Sequence, residues 1–119
     1  MPHILGYARV STDDQDLDGQ KRRLEAAGAY RVFEDVVSGK TFDRPGLTAL
    51  LDHIRPGDTL AVVRLDRLGR SLRELLDVVA TLKERGVAPL SLEEQLDTSS
   101  AAGELVFHVF GAIAQFERR

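Results

Sequence analysis

Three polar side chains stand where an apolar segment ends. In Tyr7-Ala8-Arg9-Val10-Ser11-Thr12 the strand period of two puts Tyr7, Arg9 and Ser11 on one face, with Ala8 and Val10 on the other. A second polar group, Leu65-Asp66-Arg67-Leu68-Gly69-Arg70, follows another apolar run, and a further arginine stands in Thr41-Phe42-Asp43-Arg44-Pro45-Gly46. Guanidiniums gathered in one place repel one another unless an anion joins them, and their planar fork matches phosphate oxygens. A serine hydroxyl beside such a clamp is equipped for phosphoryl transfer, with the hydroxyl as nucleophile and the arginines stabilising charge on the phosphate.

A plainer reading makes Ser11 and Thr12 helix caps, pairs Arg9 with a carboxylate and treats 65–70 as a solvated charge run. Against the last point, that run lies between an apolar strand and a helix cap. No histidine is placed as a base: His3 precedes the first strand, and His53 and His108 lie in ordinary helical patterns, so all three read as structural. The carboxylates lack metal-ligand spacing, and neither a glycine-rich phosphate loop nor a nucleotide motif is present. No cofactor is therefore expected, and charge stabilisation falls to the arginines.

The elements that would position these groups alternate. Ile4 to Val10 reads as a strand, with a capping box at Thr12-Asp13-Asp14-Gln15 opening a helix that turns Leu17, Leu24 and Ala27 inward and stops at Gly28. Tyr30 to Val37 is a second strand. Pro45 suits the first turn of a helix carrying Leu47, Leu50, Leu51 and Ile54 on one stripe, ended by Pro56-Gly57-Asp58. Thr59 to Leu65 is a third strand. Ser71-Leu72-Arg73-Glu74 caps a helix with Leu72, Leu75, Leu76, Val79 and Leu82, closed by Gly86, and Val87 to Leu92 is a fourth strand. The expected fold is α/β, a mostly parallel central sheet with helices on both faces in flavodoxin-like layering, where ligands bind beyond the carboxyl ends of the strands. Arg9, Ser11, Arg44 and Arg67 all stand at that edge.

The final segment differs. Leu105, Val106, Phe107, Val109, Phe110, Ile113 and Phe116 cover more of a helix than one sheet face needs, which calls for a second partner surface. The row stops at Glu117-Arg118-Arg119 without Gly, Asn or Pro, so the helix is expected to continue past residue 119. Residues 1–100 therefore read as one α/β domain and 101–119 as the start of a long helix.

The totals set limits. With 119 residues and 43% hydrophobic content the chain suits one domain, and 29% charged residues with only 4 prolines indicate neither disorder nor a linker. Cysteine is absent, which excludes disulfides and thiolate metal sites and permits a reducing compartment. No apolar run reaches the ~18 residues of a membrane span, and no secretory leader precedes Ile4, so a cytoplasmic protein is expected. The net charge of −3 and pI near 5.6 argue against indiscriminate coating of nucleic acid. The cations are nevertheless nearly all arginine, with lysine only at Lys21, Lys40 and Lys83.

These segments together resemble the catalytic domain of the serine recombinases, the resolvase/invertase group. The nucleophile segment is matched by Tyr7 to Thr12 with Gln15 and Gln20 behind it, the second block by Ser38-Gly39 and Asp43-Arg44-Pro45-Gly46-Leu47, and the third by Leu65 to Arg70. The match runs on through Phe107-His108-Val109-Phe110-Gly111-Ala112-Ile113-Ala114-Gln115-Phe116-Glu117-Arg118, in the right order over nearly the whole chain. Glu104 departs from the pattern, where a basic or other polar residue is expected.

The resemblance implies a resolvase-like fold in which Ser11 attacks a DNA phosphodiester to form a 5′-phosphoserine link, without metal or ATP. It implies that Arg9, Arg67 and Arg70 hold the scissile phosphate with Arg44 assisting, that Asp66 is a candidate proton donor to the leaving oxygen, and that Tyr7, Gln15, Gln20 and Asp35 support the site. It implies double-stranded DNA as partner, a homodimer pairing into a tetramer through the terminal helix, no membrane, and nucleoid association. A separate DNA-binding domain beyond residue 119 would account for the acidic balance of this part. Two other classes stay open on the residues alone: a non-catalytic phosphate- or DNA-binding architectural module of the same fold, and a flavodoxin-like signalling domain. The second calls for an acidic pocket, which the arginine-rich edge opposes.

Overall fold

A run of buried aliphatic residues with both faces covered becomes an inner strand of a parallel sheet. β1 (Ile4–Ser11) is such a strand, with Leu5, Tyr7, Ala8 and Val10 all buried. The structure, a computed structural model of the chain, describes residues 2–11, 16–37, 44–69, 72–93 and 96–97. In chain order β1 is followed by α1 (Leu17–Ala26), β2 (Ala29–Val37), α2 (Pro45–His53), β3 (Thr59–Val62), a 3₁₀ turn at Leu65–Arg67, α3 (Leu72–Glu84), β4 (Ala88–Ser91) and β5 (Leu96–Asp97). The sheet order is β2-β1-β3-β4-β5; the first four strands are parallel and β5 pairs antiparallel with β4.

Helices lie on both faces, as expected, and the handedness of the crossovers dictates which goes where. From β1 the chain steps outward to β2, then returns past β1 to β3, so right-handed connections put α1 and α2 on opposite faces. On the α1 face Leu24 packs with Ala8, Ala61 and Val63. On the other face Leu47 and Leu50 of α2 and Leu75 and Leu82 of α3 meet Leu5, Tyr7 and Leu60 of the strands. Each such aliphatic side chain contributes about 1.5–3 kcal/mol when fully buried. The larger core is on the α2/α3 side, and the polar edge of Tyr7 and Arg9 belongs to that side.

The helix ends follow local chemistry. Ala27 caps α1 and Gly28 follows at φ 103°, the left-handed position that favours glycine. Pro45 occupies the first turn of α2, where its missing N–H costs no helical bond.

Most boundaries fall within one residue of the sequence expectation, and the larger differences have physical reasons. α1 begins at Leu17 behind Asp16, so the capping box at Thr12 does not open it, and residues 12–15 lie outside the described residues. The third strand stops at Val62 instead of Leu65, because Leu65 and Leu68 both enter the core at a spacing of three that a turn satisfies and strand alternation does not. β5 was not expected, being only two residues long. The terminal segment 101–119, with its expected helix, also lies outside the described residues.

Candidate active site

In a sheet of order 2-1-3-4 the chain leaves β1 in one direction and β3 in the other, and the crevice at their carboxyl ends is the place where such folds bind ligands. Here that crevice is widened. β1 pairs with β3 only from Ile4↔Thr59 to Gly6↔Ala61, whereas it follows β2 all the way to Ser11↔Val37. Beyond Gly6 the peptide groups of β1 on the β3 side need other partners. Gln20 of α1 supplies them: its Oε1 accepts from Arg9 N–H at 3.2 Å and its Nε2 donates to Arg9 C=O at 3.0 Å. A buried side-chain amide thus substitutes for a strand and holds the backbone two residues before Ser11.

The second fixing point is Asp35. It pairs with Arg9 in the β1–β2 register, is 4% exposed and accepts three hydrogen bonds. Tyr7 Oη donates to Oδ2 at 2.7 Å, Gly46 N–H to Oδ1 at 2.7 Å and Leu47 N–H to Oδ2 at 3.0 Å. The carboxylate therefore joins β1 to β2 and satisfies free N–H groups at the start of α2, where the helix dipole favours a negative charge. Gly46 makes the approach possible, since a Cβ there would collide with the carbonyl oxygen of Glu34.

With α2 anchored in this way, Arg44 at its N-cap position reaches across the crevice. One Nη donates to Leu68 C=O at 2.7 Å, behind the 3₁₀ turn, and the other lies 3.2 Å from Glu74 Oε1 on α3. Arg9, 8% exposed, stands in the same field. Burial is the largest influence on it and pulls its pKa below the ordinary arginine value; Arg44 adds to this, Tyr7 and Glu74 oppose it, and Arg67 adds again. The Tyr7 phenol is pushed far above its ordinary value by burial, then by the hydrogen bond to Asp35 and that group's charge, against the pull of Arg44 and Arg9. Three arginines from three strand ends thus share one electrostatic neighbourhood.

Of the residues singled out in the sequence, Tyr7, Arg9, Gln20, Asp35, Arg44 and Arg67 are brought together at this edge. Gln15, Arg70 and the side chains of Ser11 and Asp66 lie outside what is described; the backbone of Ser11 ends β1 and that of Asp66 sits in the 3₁₀ turn. Glu74 was expected only as the acidic member of a helix cap. Its pairing with Arg44, thirty positions away, leaves no local signal in the sequence. Among the described residues no cluster of His, Asp and Glu could hold a metal ion, and no helix is long and apolar enough to cross a membrane. A cavity of about 560 Å³ opens at the amino ends of the strands, lined by His3, Tyr30, His53 and Arg55 among others, on the far side from these groups. His3 stacks on Tyr30 there and His53 lies against Phe33, so neither joins the arginine edge.

Comparison with known proteins bears on the same residues. Residues 4–119 match the family model described as "Resolvase, N terminal domain". The chain is 50% identical over 115 residues to the serine recombinase gin of Escherichia phage Mu, covering 97% of this chain and 60% of that protein. It is 49% identical over 114 residues to the DNA-invertase hin of Salmonella typhimurium, covering 96% of this chain and 60% of that one. The chain thus spans 60% of the length of these curated relatives. Among solved structures, the N-terminal catalytic domain of TP901-1 integrase superposes with a TM-score of 0.83 at 32% identity, covering 97% of this chain and 95% of that one. A match over nearly every residue, in sequence and in fold, means that the chain belongs to the resolvase N-terminal domain family, that of the serine recombinases.

Proposed function

We propose that this chain is the catalytic domain of a site-specific DNA recombinase that cuts and rejoins DNA through Ser11. The observation that carries the reading is that Arg44 reaches across the crevice to the Leu68 carbonyl, behind the turn that carries Arg67, close to buried Arg9 near the end of β1, where the Ser11 backbone emerges. The Ser11 oxygen attacks phosphorus and loses its proton, the bond from phosphorus to the 3′ oxygen breaks, and the leaving oxygen takes up a proton, with Asp66 in the donor role. The product is a 5′-phosphoserine ester and a free 3′ hydroxyl. Attack by a 3′ hydroxyl from the partner strand reverses these steps and restores the phosphodiester, so the ester conserves the bond energy and no nucleotide is consumed. Arg9, Arg67 and Arg70 hold the phosphate oxygens and stabilise their charge, with Arg44 assisting.

Tyr7, Gln15, Gln20 and Asp35 act through the framework. Residues 1–100 carry the chemistry. Residues 101–119 begin a helix through which homodimers form and pair into a tetramer on double-stranded DNA in the nucleoid. The relatives named serine recombinase and DNA-invertase support this reading.

The test uses the full gene product, or this chain fused to a DNA-binding domain, on end-labelled DNA carrying the matching site. After a denaturing quench, protein is expected on the 5′ end at the break with Ser11 present and absent in Ser11→Ala. Alanine at Arg9, Arg67 or Arg70 is expected to lower cleavage about a hundredfold or more, as for loss of one transition-state donor. An adduct that survives Ser11→Ala refutes the nucleophile, and near-normal cleavage in all three arginine variants refutes the clamp.

A further inference from the structure

The arginine edge contains a carboxylate of its own. Glu74 stands in the first turn of α3, and its side chain and that of Arg44 are only 30% and 12% exposed where they meet. Arg44 is held on both sides, by this carboxylate and by the Leu68 carbonyl. The influence of Glu74 extends past Arg44, since its charge also supports the protonated form of Arg9, which Arg44 and Arg67 disfavour. One acidic side chain therefore meets Arg44 directly and supports Arg9 through its charge.

We propose that Glu74 is the resident counter-anion of the cluster, which holds the arginines in place without substrate and releases Arg44 to a phosphate oxygen when a phosphodiester enters. The proposal rests on the phosphoryl-transfer reading above. A guanidinium fork accepts carboxylate and phosphate oxygens with the same geometry, so the incoming group exchanges with Glu74 at Arg44. The exchange has two effects of opposite sign. Glu74 keeps the clamp assembled while it is empty, and its charge repels the phosphate that must displace it. Glu74 is thus a positioning residue and a brake on anion entry.

Two substitutions separate these effects. Glu74→Gln keeps the oxygen that accepts from Arg44 and removes the charge, whereas Glu74→Ala removes both. Inorganic phosphate is titrated into this chain at constant ionic strength, followed by calorimetry and by the rise in melting temperature. The Gln variant is expected to bind phosphate about tenfold more tightly than the native chain, the Ala variant with a smaller gain, and Arg44→Ala in the Gln background to cancel the gain. Unchanged affinity in the Gln variant, a gain that survives loss of Arg44, or phosphate binding by neither protein overturns the proposal.

A second measurement needs no substitution. In the native chain labelled with ¹³C and ¹⁵N, the Glu74 carboxyl and Arg44 Nε resonances should move with one midpoint as phosphate is added. A Glu74 signal that stays fixed while Arg44 saturates refutes the exchange. None of these readouts uses DNA, so their failure leaves the Ser11 adduct test intact. A missing adduct beside tightened phosphate binding would refute the recombinase reading alone.

Discussion

Replacing Asp35 by alanine should disassemble the framework of the site without touching an arginine. The carboxylate is 4% exposed and accepts from the Tyr7 hydroxyl at 2.7 Å and the N–H groups of Gly46 and Leu47 at 2.7 and 3.0 Å. Each buried donor left without a partner costs about 1–3 kcal/mol. Tyr7 is fully buried and carries the full penalty; Gly46 is half-buried, so water replaces part of its bond. The sum is about 3–5 kcal/mol, a large share of the ~5–15 kcal/mol typical of a domain. At about 3–5 °C per kcal/mol for this size, the melting temperature should fall by roughly 10–20 °C. Tyr7→Phe removes one donor and leaves Asp35 its two amides, so it should cost only about 1 kcal/mol. In the double variant no hydroxyl is stranded, and the two effects should fall short of additivity by about 1 kcal/mol or more. Urea denaturation followed by circular dichroism measures all three. A cost below about 1 kcal/mol for Asp35→Ala, or strict additivity, refutes the view that this carboxylate ties β1, β2 and α2 together.

Two further tests use the same assembly. Gly46→Ala should cost about 1–3 kcal/mol, as overpacking does, because the new Cβ meets the Glu34 carbonyl and pushes α2 off Asp35; an unchanged denaturation midpoint would show that the helix yields freely. The raised pKa of Tyr7 predicts alkaline sensitivity. With the folded value above the ordinary 10.0, the contribution is complete below that pH and declines as pH rises beyond it, because the unfolded chain ionises first. Absorbance at alkaline pH should show the Tyr7 phenolate appearing together with unfolding, and Tyr7→Phe should flatten the loss of stability.

Much of this was legible in the sequence for physical reasons. Periods of two and of 3.6, with Pro45 and Gly28 as punctuation, located four parallel strands and three helices to within a few residues. The strand period also placed Tyr7 and Arg9 on one face, since alternation depends on the backbone alone. What escaped was pairing between distant positions. Nothing in Pro45-Gly46-Leu47 states that the Gly46 and Leu47 N–H groups end on a carboxylate from β2, and nothing in Ser71-Leu72-Arg73-Glu74 states that Glu74 meets Arg44. Those contacts exist because β2 and α2 pack side by side and α3 returns over the same face, which is a property of the folded topology. The 3₁₀ turn was missed for a related reason: Leu65 is as apolar as a strand residue, and only the demand of the core for both Leu65 and Leu68 ends the strand early.

The acidic balance of the chain and its arginine-lined site are compatible because they belong to different places. Some acidic side chains stand in surface pairs, Lys21 with Glu34 and Arg73 with Asp77, each at 3.3 Å. Such pairs contribute about 0–1 kcal/mol and are screened by salt within roughly 8–10 Å. Arg9 and Arg44 instead sit where water is largely excluded, and burial first and the charge of Arg44 second hold the Arg9 pKa below its ordinary value. An anion in that crevice meets the local cluster before it meets the surface average. On the proposed reading, the net charge of −3 governs how this part of the protein approaches a polyanion, whereas the three buried or half-buried guanidiniums govern what happens to one phosphate already there.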